Sequence, residues 1–242
     1  MVWQALYIPV DQFVLFSTEH LVALTATLAA AILMIALYWG RDPGDGFSRN
    51  TRYILAAILL GSELTWQYWQ VAAEVWDIRH SLPLHLCDIG LLLSVIMLIW
   101  RVPALFELVY FWAFCGTLQA LITPDLGNYN FPHLHFFQYF IGHGVVIISV
   151  VFMILSEHFR PRWRSIWKVF WVTNAYAGAV ALFNLATNSN YLMLSGKPAV
   201  PTLVDYLGPW PGYIVAIEAI GLISCILYYL PFAIRDRKSK RT

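Results

Sequence analysis

The chain has 242 residues, of which 60% are hydrophobic and 12% charged, with mean hydropathy +0.63 and a formal net charge of +1. Soluble domains carry about 25% charged residues, so a soluble fold is excluded, and the near-neutral balance gives no electrostatic basis for binding nucleic acid. The length holds seven spans of about 20 residues with short loops, and leaves no room for a separate soluble domain.

The stretch from Met1 to Thr18 lacks the positive start and small-residue cleavage site of a signal peptide, so the first span is expected to act as its own uncleaved signal. Apolar runs then predict helices at about 18–39, 52–75, 83–100, 103–123, 133–156, 165–187 and 211–234. The breaks between them are polar or turn-rich. Gly40 to Asn50 separates the first two, and Arg101-Val102-Pro103 joins the third and fourth tightly. Pro124-Asp125-Leu126-Gly127-Asn128 ends the fourth, and a longer loop punctuated by proline and glycine runs from Asn188 to Pro209. The reading is an all-α polytopic membrane bundle, a single transmembrane domain over residues 1–242.

Basic residues orient it. One side carries Arg41, Arg49, Arg52, Arg101, Arg160, Arg162, Arg164, Lys168, Arg235, Arg237, Lys238, Lys240 and Arg241, and the other only Arg79 and Lys197. Cytoplasmic loops are enriched in Lys and Arg, so the N-terminus is expected outside and the C-terminus in the cytoplasm of a multi-pass cell-membrane protein. The basic tail is expected to touch anionic headgroups.

Polar residues then converge on the outer half. Glu63, Gln67, Gln70 and Glu74 recur at i, i+4, i+7 and i+11, which draws one stripe on one helix face. Lipid does not accept such a stripe, so it is expected to face the bundle interior. Span three opens with His85, Cys87 and Asp88, span four brings Cys115 and Gln119, and span five brings His133, His135, Gln138 and His143. Span six adds Asn174, Asn184 and Asn188, span one begins with Glu19 and His20, and span seven carries Glu218. The inner halves carry few such residues. The expected outcome is an outward-opening cavity reachable by lipid.

Plainer readings stand beside this one. Glu74, His20 and His133 read as solvated interfacial residues. Cys115 and Cys225 read as small core hydrophobes, with no disulfide framework among the three cysteines. Asn174, Gln119 and Gln138 read as interhelical hydrogen-bonders. Gly142 and Gly144, flanking His143, allow close approach by another helix or by a substrate, and Trp76 and Trp210 read as interface anchors.

A cysteine acts as a nucleophile only as a thiolate, and an imidazole at similar depth can serve as its base. Cys87 and His143 fit those roles, with amide and hydroxyl groups nearby for an oxyanion. The chemistry this allows is acyl transfer or hydrolysis on a lipid, with no cofactor. Two other classes fit the same residues. His85, Cys87, Asp88, His133, His135 and His143 supply zinc-ligand types for a membrane hydrolase, and Glu63, Glu218 and His143 suit a proton-coupled transporter or ligand-binding protein.

Three motifs carry a family resemblance. Leu82-Pro83-Leu84-His85-Leu86-Cys87-Asp88 opens span three, Thr123-Pro124-Asp125-Leu126 follows span four, and Phe131-Pro132-His133-Leu134-His135-Phe136-Phe137 precedes His143. With seven spans, these resemble the bacterial YwaF-type membrane family, which is similar to the eukaryotic transmembrane protein 164 group. The resemblance implies acyl transfer to lysophospholipids, or a related acyl-ester hydrolysis, through a cysteine and a histidine in separate spans. Carried over by motif these are Cys87 and His143, with membrane phospholipid or fatty-acyl substrates as partners. His85, Asp88, Glu63, Gln67, Gln119, His135, Gln138 and Asn174 are the expected supporting polar residues, and no metal is part of this reading.

Overall fold

A computed structural model describes residues 11–39, 46–197 and 203–239. Among these, seven long helices and no strand are found. They are α1 (Thr18–Tyr38), α2 (Gly46–Ala72), α3 (Leu86–Trp100), α4 (Pro103–Ile122), α5 (Leu134–Ser156), α6 (Trp163–Thr187) and α7 (Gly212–Ser239). Five of them, α1, α4, α5, α6 and α7, are long and apolar enough to cross a membrane; α3 is apolar but shorter, at 15 residues. Residues 1–10 and the basic residues Arg41, Lys240 and Arg241 lie outside the described residues, as do the side chains of Arg237 and Lys238.

The sequence explains the helix boundaries. Ser17 caps α1 by accepting from the His20 amide at 3.4 Å. Arg101 ends α3 in the left-handed conformation at φ 54°, and Pro103 opens α4, where its missing N–H costs nothing. His133 caps α5 through Nδ1, which accepts from the His135 amide at 3.0 Å. Within α4, residues Ala113–Thr117 form a π turn, widening the helix where Cys115 and Thr117 sit.

The chain runs up and down, which gives the bundle two ends. At the near end α1 starts, α2 stops, α3 starts, α4 stops and α5 starts. Contacts between distant residues follow this order. His20 on α1 meets Leu121 at the end of α4, and Tyr38 at the far end of α1 meets Thr51 at the start of α2. Helix α5 lies at the centre: 67% of its most apolar stretch is buried, against 6% for α1 and for α7. It packs on α1, α2, α3 and α4, while α7 packs on α6 and α4. Two glycines permit this. A Cβ at Gly142 would stand 3.3 Å from Leu91 and from Ser62, and one at Gly144 would stand 3.0 Å from Thr27. Both therefore serve approach by neighbouring helices. The outward faces are apolar, with Leu28, Trp171, Leu185, Val215 and Leu227 all more than half exposed. Water would disfavour such a surface and hydrocarbon would not.

Several expectations need correction. Helix α2 stops at Ala72, so Glu74 leaves the polar stripe; it sits at φ 58° in the turn beyond, exposed. His20 and His133 are fully buried rather than solvated. His20 bonds the distant Leu121 carbonyl and His133 caps its own helix, which depth alone did not reveal.

The far end is not poor in polar groups. Glu157, at the C-cap of α5, holds two guanidinium groups. Arg52 Nε on α2 lies 3.3 Å from Glu157 Oε1, and Arg101 Nε donates to Oε2 at 2.7 Å. Arg52 also donates to the Leu98 carbonyl at 3.0 Å. Both Arg52 and Glu157 are buried. The network ties α2, the α3–α4 junction and α5 together.

Candidate functional site

The loop from Asp77 to His85 delivers the start of α3 to the near end of the bundle. Asp77 is anchored in its turn by Arg79, whose guanidinium lies 2.6 Å away and holds the Asp77 carboxyl well below the usual carboxylate range. Two tyrosines fix the rest of the loop. Tyr191 donates to the Ile78 carbonyl at 2.8 Å and accepts from the Leu82 amide at 2.9 Å, and Tyr176 on α6 donates to the Leu84 carbonyl at 2.9 Å. Tyr191 is itself held by Asn184, whose side chain bonds both its amide and its carbonyl. This explains the buried Asn184, which sequence reasoning had placed only by depth.

His85 is the N-cap of α3 rather than part of a span, with its ring 5.3 Å from that of Tyr191. Asp88 reaches back to the His85 backbone amide in the manner of a capping box and lies within electrostatic reach of Glu63. Cys87 occupies the second residue of α3, half-buried, with the Thr117 hydroxyl of the π turn as its hydrogen-bonding neighbour.

Helix α5 contributes the opposite wall. The His143 Nδ1 lies 2.8 Å from the Tyr139 backbone carbonyl. A carbonyl only accepts, so Nδ1 carries the proton, and in the neutral ring Nε2 holds a lone pair. The His143 ring stacks on that of Tyr139 at 4.0 Å, and Tyr139 also lies within electrostatic reach of Cys87 and Asp88. His135, one turn nearer the loop, stacks on Trp66 at 3.8 Å and pairs through Nδ1 with Gln138 Oε1 at 3.1 Å. On α2, Gln67 donates to Glu63 Oε1 at 2.9 Å and to the Ser81 carbonyl at 2.8 Å.

Other residues stay apart. Gln119 is exposed and bonds Thr123 within its own helix. Asn174 bonds the Phe170 carbonyl one turn back on α6, and Glu218 is exposed on α7. The side-chain bonds of Gln119, Asn174 and Gln138 all run within their own helices, rather than between helices as expected. Among the described residues, no three histidine, cysteine, aspartate or glutamate side chains converge as a metal would require.

A cavity does open beside α5, but on its other face. A groove of about 480 Å³ runs between α1 and α5, lined by Val22, Ala26, Phe137, Phe140, Ile141 and Ile148 among others, with Thr18 and Glu19 at one end. None of Cys87, Asp88, Glu63 and His143 lines it. At 100° per residue, its α5 residues 137, 141, 144 and 148 fall opposite 135, 139 and 143.

A family model described as the TMEM164 family matches residues 15–229. The chain belongs to the TMEM164 family. The match covers every helix positioning the site and ends within α7. An uncharacterized protein of Treponema pallidum (strain Nichols) is 28% identical over 179 residues, covering 74% of this chain and 69% of the relative. No solved structure matches. Family membership agrees with the membrane-type helical bundle and with the resemblance carried by the three motifs around Cys87, Asp125 and His143.

Proposed function

We propose that this TMEM164-family protein is a multi-pass cell-membrane enzyme, with its N-terminus outside, that transfers or hydrolyses acyl groups of membrane lipids. Cys87 is the nucleophile and His143 the base. The observation that supports this reading is the TMEM164-family match across the motifs that hold Cys87 and His143, with the His143 tautomer leaving Nε2 available.

The chemistry follows. His143 Nε2 takes the Cys87 proton as sulfur attacks an acyl ester carbonyl. The carbonyl becomes tetrahedral, and its collapse leaves an acyl thioester on Cys87 while the imidazolium protonates the departing alcohol. A lysolipid hydroxyl or water, deprotonated by the same imidazole, then releases the acyl group. Cys87 is the second residue of α3 with the Asp88 carboxyl next to it, so the thiol gives up its proton to the imidazole only as sulfur attacks. Thr117, whose hydroxyl faces Cys87, is placed to orient the sulfur. Glu63, Gln67, Asp88, His135 and Gln138 support the walls. Membrane phospholipids or fatty-acyl esters are the proposed substrates.

The test is lipid mass spectrometry on purified protein incubated with phospholipids, lysophospholipids and acyl donors. Wild type is expected to change acyl composition. Cys87→Ala abolishes the change, and His143→Gln slows it by on the order of 10²–10⁴-fold, the usual worth of a general base. Full activity in folded Cys87→Ala would overturn the assignment.

A further inference from the structure

Cys115 and Cys225 are 110 residues apart in sequence, yet their sulfur atoms lie 3.7 Å from each other. Cys115 belongs to the π turn of α4 and Cys225 to α7. Neither takes part in the acyl chemistry assigned to Cys87. Both thiols are free and half-buried.

The surroundings fix this approach. Tyr110, one turn before Cys115, donates to the Tyr228 carbonyl of α7 at 2.7 Å. The Phe114 ring lies 5.3 Å from that of Tyr228 and 5.0 Å from that of Tyr110. Two side chains flanking Cys115 thus meet the residue three positions beyond Cys225. The thiols are held face to face by contacts that do not depend on sulfur. A disulfide has an S–S length of about 2.05 Å, so each sulfur has under 1 Å to travel.

We infer that Cys115 and Cys225 form a dithiol that closes to a disulfide, a modification site joining α7 to the π turn of α4. The oxidant class is a hydroperoxide, small and uncharged enough to enter an apolar bundle. One cysteine, as thiolate, attacks the terminal peroxide oxygen. The O–O bond breaks, an alcohol leaves after taking up a proton, and the sulfur becomes a sulfenic acid. The second sulfur displaces that hydroxyl, water leaves, and the S–S bond forms. Two thiols lose two electrons in all, and one hydroperoxide is reduced to alcohol and water. A dithiol reductant reverses the closure by exchange.

The closure matters most for α7, which packs on α6, on α4 and on the short turn Leu203–Leu207 and whose most apolar stretch is only 6% buried. It is independent of the acyl reading, because Cys87 lies on α3 and pairs with Thr117 instead.

Full-length protein in lipid nanodiscs is exposed to tert-butyl hydroperoxide, quenched in acid, alkylated, digested and mapped by mass spectrometry. Two of the three cysteines are expected to lose alkylation and reappear as one Cys115–Cys225 linked peptide. Dithiothreitol restores both, and Cys87→Ala leaves the link intact. Cys115→Ser and Cys225→Ser each abolish it. The inference is overturned if Cys115 and Cys225 stay alkylated while peroxide oxidises Cys87. It is equally overturned if they form links only between chains or oxidise singly to sulfinic acid. The wild-type map decides the matter even if a serine variant fails to fold.

Discussion

Replacing Glu157 by alanine removes the acceptor that two guanidinium groups share at the far end of the bundle. The Glu157 side chain is fully buried, that of Arg52 is 7% exposed and that of Arg101 is 47% exposed. Loss of one partner from a buried pair leaves the other charge uncompensated and costs about 3–5 kcal/mol. Glu157→Ala and Arg52→Ala are expected in that range. Arg101 is half in solvent, so Arg101→Ala should cost only about 1 kcal/mol. Replacing the buried pair together, as Arg52→Met with Glu157→Leu, removes both charges and should recover most of the loss, since apolar substitutes for a buried pair are often neutral. The assay is denaturant unfolding in mixed micelles, followed by tryptophan fluorescence. A Glu157→Ala protein within about 0.5 kcal/mol of wild type, the usual range of an inert surface change, would refute the argument. So would a double variant less stable than both single ones.

His20 joins α1 to the end of α4. Its Nε2 donates to the Leu121 carbonyl at 2.9 Å and its Nδ1 accepts from the Phe16 amide at 3.0 Å. His20→Ala strands both groups and opens a void among Phe13, Phe16 and Phe140, so a loss of about 2–4 kcal/mol is expected in the same unfolding assay. An unchanged midpoint would show that the ring is dispensable. Orientation is tested with single cysteines at Ser195 and Arg164 in a cysteine-free background: a membrane-impermeant maleimide should label Ser195→Cys on intact cells and Arg164→Cys only after permeabilisation. The opposite pattern would invert the bundle.

Several helices were legible because their apolar runs are closed by residues that do not continue a helix, as at Arg101-Val102-Pro103. The inward turn of Glu63 and Gln70 was legible too, from spacing on one helix, and both are buried. Glu74 was misread because no glycine or proline marks the end of α2 after Ala72. A non-glycine residue at positive φ gives no compositional signal. The depth of His20 and His133 suggested water, but His20 bonds the Leu121 carbonyl and the Phe16 amide, and His133 caps α5 by accepting from the His135 amide. Glu157 looked like one more charge in an interfacial stretch, because its partners come from residues 52 and 101. The meeting of Cys115 with Cys225 likewise exists only once α7 packs on α4. The stacking of His143 on Tyr139 was not approachable from sequence, where only matched depth linked His143 to Cys87.

The π turn lets α4 carry one residue more than an ordinary helix would between the same contacts. Were residues 113–117 to wind as an ordinary α-helix with none of them removed, everything beyond would rotate by about 100°. Leu121 would swing its carbonyl away from His20, and Ala120 would lose the bond that its carbonyl accepts from Tyr139 at 3.0 Å. Thr117 would leave Cys87 in the same motion. The π turn therefore absorbs one residue while holding the two halves of α4 in phase, and homologues that share these contacts should either keep a π turn here or carry one residue fewer.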